Sequence, residues 1–141
     1  KFYEGKRNDS PFVKCWGSGK PLREFLYVDD LADACIFILN KWKKTKDKLL
    51  LDENKEPIYW LNVGSPFEVS IKELASKISN AIDYEGEIIW DKKMPDGTPR
   101  KKLDTTKINN LGWEAKTDLD KGIDLTLITY ETEILNGKLR E

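Results

Sequence analysis

The chain has 141 residues, 24 Lys and Arg against 25 Asp and Glu for a net charge of -1, 39% hydrophobic residues and no histidine. That length suits one compact domain rather than two of full size. The charge balance excludes both the global basic field of a nucleic-acid binder and an acidic solvating tail, so any anion site must be local.

Without histidine, zinc sites built on that residue, a Ser/His/Asp triad and a Cys/His pair are excluded within these residues. Cys15 and Cys35 lack the CxxC spacing of a redox or zinc site and are expected to be buried and reduced. No apolar run is long enough to span a bilayer, and Lys1-Phe2-Tyr3-Glu4-Gly5-Lys6 has no signal-peptide core, so a soluble, cytoplasmic protein without membrane partners is expected. The first residue is Lys1 rather than Met, within an aromatic and charged run that reads as the tail of a helix already under way. The expectation is a piece of a longer chain.

In chain order, residues 1–12 are polar and close on the turn-rich connector Asn8-Asp9-Ser10-Pro11. Phe12-Val13-Lys14-Cys15-Trp16 alternates as a short strand with Val13 and Cys15 on one face. Gly17 and Gly19 mark a turn that needs positive φ, and Pro21 fixes φ after it. Arg23 to Val28 is extended in character. Asp29 is expected to cap a helix whose apolar positions Leu31, Ala34, Cys35, Ile38, Leu39 and Trp42 share a buried face.

Residues 40–57 are charged around a leucine cluster and predict a helix end followed by an exposed loop. Ile58 to Gly64 is a continuous apolar run that predicts a buried strand. Ser70 and Glu73 form a capping box ahead of Ile71, Leu74, Ala75, Ile78 and Ile82, the stripe of a second helix. Glu87-Ile88-Ile89-Trp90-Asp91 predicts a third strand, leading into a Pro- and Gly-bearing loop over 94–104. Asp104 or Thr105 opens a short helix stopped by Gly112. Thr117 or Asp118 opens the last, with Leu119, Ile123, Leu127, Tyr130 and Ile134 on one face. The alternation predicts a small α/β fold of about three strands.

Arg23 is the chemically pointed residue of the glycine turn, because a guanidinium stays charged and presents a rigid fork suited to phosphate or carboxylate. Pairing with Glu24, Asp29 or Asp30 is the alternative. No Gly-x-Gly-x-x-Gly is present, since Gly17 and Gly19 precede an extended segment rather than a helix. From residue type alone, Trp16 on a strand reads as a core residue, and Arg100-Lys101-Lys102 beside Asp91, Asp96 and Asp104 as a surface ion-pair cluster.

The run from Trp16 to Ala34, with Arg23-Glu24-Phe25 and Val28-Asp29-Asp30, then Asn62-Val63-Gly64, and above all Pro95-Asp-Gly-Thr-Pro-Arg-Lys-Lys-Leu-Asp104 followed by Leu111-Gly112-Trp113, resembles the GDP-L-fucose synthases. The first element is shared by many extended short-chain dehydrogenase/reductases acting on nucleotide sugars; the Pro-Asp-Gly-Thr-Pro-Arg-Lys run is far narrower. The resemblance spans nearly all of the chain. It implies the C-terminal substrate-binding lobe, a single domain over residues 1–141 without the Rossmann core, of an enzyme that epimerises GDP-4-keto-6-deoxy-D-mannose at two carbons and reduces its ketone with NADPH. The NADPH-binding motif, the Tyr-x-x-x-Lys pair with its Ser, and the Cys and His serving epimerisation are implied to lie outside these residues, so no catalytic residue is expected here.

By the same resemblance, Trp16, Arg23, Lys101, Asp96 and Lys1 fall at substrate contacts, with Lys1 standing where the family usually has an arginine. Glu87 replaces a basic residue found in some members, and Ser65-Pro66-Phe67 a Thr-Gly pair. A GDP-sugar is the implied ligand. A homodimer is implied for the complete enzyme and self-association expected for a piece of it. Another nucleotide-sugar epimerase or dehydratase, or a stand-alone binding module, are the alternatives.

Overall fold

The computed structural model describes residues 1–41 and 50–137. Ten elements follow in order: α1 (Phe2–Arg7), β1 (Phe12–Trp16), β2 (Leu22–Glu24), α2 (Val28–Lys41), β3 (Glu68–Ser70), α3 (Ile71–Ala81), β4 (Glu87–Asp91), β5 (Arg100–Lys101), α4 (Thr106–Asn110) and α5 (Leu119–Leu135). The α/β expectation holds, but the described strands form two small sheets. β1 pairs in parallel with β4, Val13 opposite Ile88 and Trp16 opposite Asp91. β2 lies between β3, antiparallel to it, and β5, parallel to it.

Local chemistry explains the elements that the sequence foretold. Val13 is buried and Cys15 half-buried on β1 while Phe12, Lys14 and Trp16 face out, as alternation requires. Ser70 Oγ accepts from the Glu73 N–H at 3.0 Å and caps α3, which buries Ala75 and Ser79. Asp118 accepts from the Lys121 N–H at 2.9 Å and caps α5. Gly112, at φ 99°, ends the α4 segment in the left-handed region where glycine has no steric cost.

Two cores result. Val13, Ile82 and Tyr84 form one, joined by Phe2, Cys15 and Leu127. Ala34, Ile108 and Trp113 form the other, joined by Leu26, Phe37, Ile38, Leu61, Val63 and Ala115. Asp30, buried at the start of α2, accepts the N–H groups of Lys116 (3.2 Å) and Thr117 (2.8 Å), tying α2 to the entry of α5.

Residues 2–7 are helical, as the opening aromatic and charged run led one to expect. Further along the chain several expectations are corrected. The extended stretch after the glycine turn stops at Glu24, and α2 starts at Val28, so Asp29 lies in its first turn and is not its cap. Leu31, Cys35 and Leu39 are exposed, Leu39 at 84%, because Phe37 and Ile38 join Ala34 against the second core instead; Trp42 lies outside the described residues, as does the 42–49 part of the charged stretch. Cys35 is therefore not the buried thiol expected. Residues 58–64 are not a strand: among the described residues no strand pairs with them, and Ile58 is buried while Tyr59 and Trp60 face out. No helix among the described residues is long and apolar enough to cross a membrane.

Candidate anion site at the glycine turn

The turn between β1 and β2 takes its shape from two glycines, Gly17 at φ 75° and Gly19 at φ 74°. The Gly17 N–H donates to the Asp91 carbonyl at 3.0 Å, extending the β1–β4 ladder. A Cβ on Gly17 would collide with the Asp96 carboxylate, and one on Gly19 would lie 2.7 Å from the Trp90 ring. Both positions exclude a side chain by conformation and by space.

Across this turn lies the loop 94–99. Asp96 Oδ1 accepts the Ser18 N–H at 2.7 Å and Oδ2 accepts the Ser18 hydroxyl at 2.6 Å. Those bonds, from the hydroxyl first and the backbone second, hold the Asp96 carboxyl below its ordinary range. The next residue, Gly97, abuts the Arg23 guanidinium, with Nη2 3.2 Å from where a Cβ would stand. The Leu22 N–H then donates to the Pro99 carbonyl at 2.9 Å, and β5 begins.

That pairing sets Arg23 opposite Lys101 and Leu22 opposite Arg100. Register partners share a face of a sheet, so Arg23 and Lys101 point one way while Arg100 and Glu68 point the other. On the second face Glu68 takes a bidentate grip from Arg100, Nε at 2.8 Å and Nη2 at 2.5 Å, with Lys102 at 3.9 Å. The Arg100 bonds, first among the causes, hold the Glu68 carboxyl down.

The surface ion-pair reading thus describes Arg100 and Lys102, with Glu68 as the acid rather than Asp91, Asp96 or Asp104. It does not describe Lys101, which has no ion pair among the described residues, and the same holds for Arg23. The Arg23 Nη1 donates only to the Leu22 carbonyl, at 2.6 Å. None of the three acids offered as its alternatives pairs with it among the described residues. Asp30 accepts from the backbone of 116 and 117, Glu24 accepts the Leu103 N–H at 3.2 Å with one oxygen while its buried Oε2 has no hydrogen-bond partner, and Asp29 makes no ion pair with it.

Trp16 and Lys1 also meet. Trp16 is 64% exposed at the end of β1, which removes it from either core, and the Lys1 Nζ stands 5.8 Å from its ring centroid while donating to the Lys14 carbonyl at 3.2 Å. Four of the five residues thus fall in two pairs, Lys1 with Trp16 and Arg23 with Lys101, and the fifth, Asp96, lies on the loop whose next residue abuts Arg23. Asp96 differs from the rest, since both its oxygens are occupied by Ser18. Glu87 sits at the far end of β4, opposite Phe12 rather than beside Arg23. Ser18 is the residue that sequence reasoning missed; its place between two turn glycines was the available signal.

The chemistry that this arrangement supports is binding. Two cations on one sheet face, neither in an ion pair among the described residues, suit a diphosphate, and no cluster of three or more metal-ligating side chains occurs among the described residues. A dinucleotide cofactor does not fit the turn. Its diphosphate needs glycines that open a helix, whereas this turn runs into β2 and the Asp96 carboxylate fills the space over Gly17. An apolar groove of about 530 Å³ between Tyr27, Leu74, Ile78, Ile123 and Leu127 includes neither Arg23 nor Lys101 in its lining.

Residues 1–50 match the NAD dependent epimerase/dehydratase family. A putative GDP-L-fucose synthase 2 of Arabidopsis thaliana is 41% identical over 138 residues, 98% of this chain. The GDP-L-fucose synthase of Escherichia coli K12 is 37% identical over 126 residues, 89% of the chain. The chain is a relative of the GDP-L-fucose synthases. It spans 38% of the length of each of these two proteins. Among solved structures, a GDP-6-OMe-4-keto-L-xylo-heptose reductase from C. jejuni superposes with a TM-score of 0.77 at 32% identity, covering 94% of this chain and 39% of that one. The expected resemblance to GDP-L-fucose synthases and to the reductase fold is borne out.

Proposed function

We propose that these residues are the substrate-binding lobe of a GDP-L-fucose synthase, a single domain over 1–141 that lacks the Rossmann core. The complete enzyme converts GDP-4-keto-6-deoxy-D-mannose to GDP-L-fucose by 3,5-epimerisation and 4-reduction. NADPH supplies the hydride to that reaction when bound outside the glycine turn described here. Arg23 and Lys101 hold the diphosphate, Trp16 and Lys1 border the sugar nucleotide, and the chain by itself is inactive. The complete enzyme is a cytoplasmic homodimer.

The observation that carries this reading is the in-register pair Arg23 and Lys101, neither in an ion pair among the described residues. Relatives named GDP-L-fucose synthase supply the nucleotide sugar; the other epimerase and the stand-alone module lack a specific observation in their favour. The test uses the full-length protein with NADPH and GDP-4-keto-6-deoxy-D-mannose. Loss of nicotinamide absorbance with GDP-L-fucose as product is expected, and GDP but not guanosine should compete. Equal competition by guanosine, or reaction confined to uridine diphosphate sugars, would overturn it.

A further inference from the structure

We propose that Ser18 keeps Asp96 out of the anion site: gripped at both oxygens, the carboxylate is held off Arg23, so that Arg23 and Lys101 stand together with neither neutralised. This rests on the anion reading above. The loop is pinned at two points, by the paired bonds from Ser18 to Asp96 at 2.7 and 2.6 Å and by the bond from the Leu22 N–H to the Pro99 carbonyl at 2.9 Å. Only Gly97 and Thr98 lie between, and Gly97 is the residue packed on the Arg23 guanidinium.

A carboxylate one residue from that contact would ordinarily pair with Arg23 and compete with an incoming phosphate. Here both of its oxygens are engaged by Ser18. A carboxylate is also a poor direct partner for a diphosphate, since like charges repel. The Ser18 hydroxyl, which in turn accepts the Lys20 N–H at 3.2 Å, thereby keeps the Asp96 charge off Arg23.

Calorimetric binding of GDP to the full-length protein tests this, with melting temperature as a fold control. Ser18→Ala frees one carboxylate oxygen and should weaken GDP about three- to tenfold, the cost of breaking a half-exposed ion pair before the anion binds. Ser18→Thr keeps the hydroxyl and should bind like the parent. Asp96→Asn in the Ser18→Ala background should restore most of the lost affinity, because the amide carries no charge to compete. A merely structural tether predicts the opposite, no recovery in the double variant. Parental affinity in Ser18→Ala, or a loss beyond tenfold in Asp96→Asn alone, would overturn the proposal. If GDP does not bind at all, or binds Arg23→Ala as tightly as the parent, the anion reading fails instead.

Discussion

Arg23 offers the sharpest test of the site. It is half-buried on the central strand of the three-stranded sheet, donates to the Leu22 carbonyl and has no acidic partner among the described residues, so its charge remains available to a ligand. A hydrogen bond to a charged group contributes about 1.5–3 kcal/mol. Arg23→Ala should therefore weaken GDP-sugar binding by roughly 10- to 150-fold. Arg23→Lys should recover only part of this, since an ammonium keeps the charge and loses the planar fork. Lys101 is exposed and more flexible, so Lys101→Ala belongs at or below the bottom of that range. Because the two share a register position, their effects should not add. A double-mutant cycle should give a coupling of about 0.5 kcal/mol or more if one diphosphate accepts from both. Titration calorimetry of the full-length protein reads all four corners. Should Arg23→Ala bind as tightly as the parent while melting at a lower temperature, Arg23 is structural and the reasoning fails.

Three further outcomes follow from the fold. Gly17→Ala should destabilise more than Gly112→Ala, by thermal melting: each incurs about 1–2 kcal/mol for a left-handed backbone, but only at Gly17 must the new Cβ also displace the Asp96 carboxylate, whereas nothing lies within 4 Å at Gly112. Ile108→Ala removes a fully buried side chain between Ala34 and Trp113 and should cost about 2–5 kcal/mol in denaturant unfolding. On acidification, Asp33, Glu68, Asp91, Asp96 and Asp104 all have depressed folded pKa values, so their stabilisation is complete above the ordinary values of 3.8 for Asp and 4.5 for Glu and is lost as pH falls below them. The urea midpoint should stay level from pH 7 to about 5 and drop below about 4.5, and Glu68→Gln should make that drop shallower. A midpoint that rises on acidification would contradict these assignments.

How much of this was legible follows from the range of each interaction. Helices α3 and α5 are fixed by contacts three or four residues apart, so the Ser70–Glu73 cap and the Leu119 to Ile134 stripe could be read directly. β1 is read by alternation over five residues. β3 and β5, three and two residues long and made largely of polar side chains, carry no periodicity at all; they exist because β2 supplies a backbone on each side. The run over 58–64 misled for the converse reason, since apolar composition measures burial and a strand needs a partner. On α2 the apolar residues outnumber the places to bury them, and spacing could not say that Phe37 would pack while Leu39 stayed exposed.

The site divides along the same line. Arg23 and Lys101 were singled out by residue type and by resemblance, yet no local pattern could say that a parallel pairing would set them opposite one another on the face away from Glu68. That pairing also separates Lys101 from its neighbours Arg100 and Lys102. Three consecutive cations look interchangeable in sequence, but alternation across β5 turns Arg100 towards an acid on β3 and Lys101 towards Arg23. Selection among the three is therefore a property of sheet register. One glycine inserted between Arg100 and Lys101, with Arg100 still opposite Leu22, would set glycine opposite Arg23 and turn Lys101 to the Glu68 face. GDP affinity by calorimetry should then fall to the Lys101→Ala level with the net charge unchanged, and parental affinity would refute the register argument.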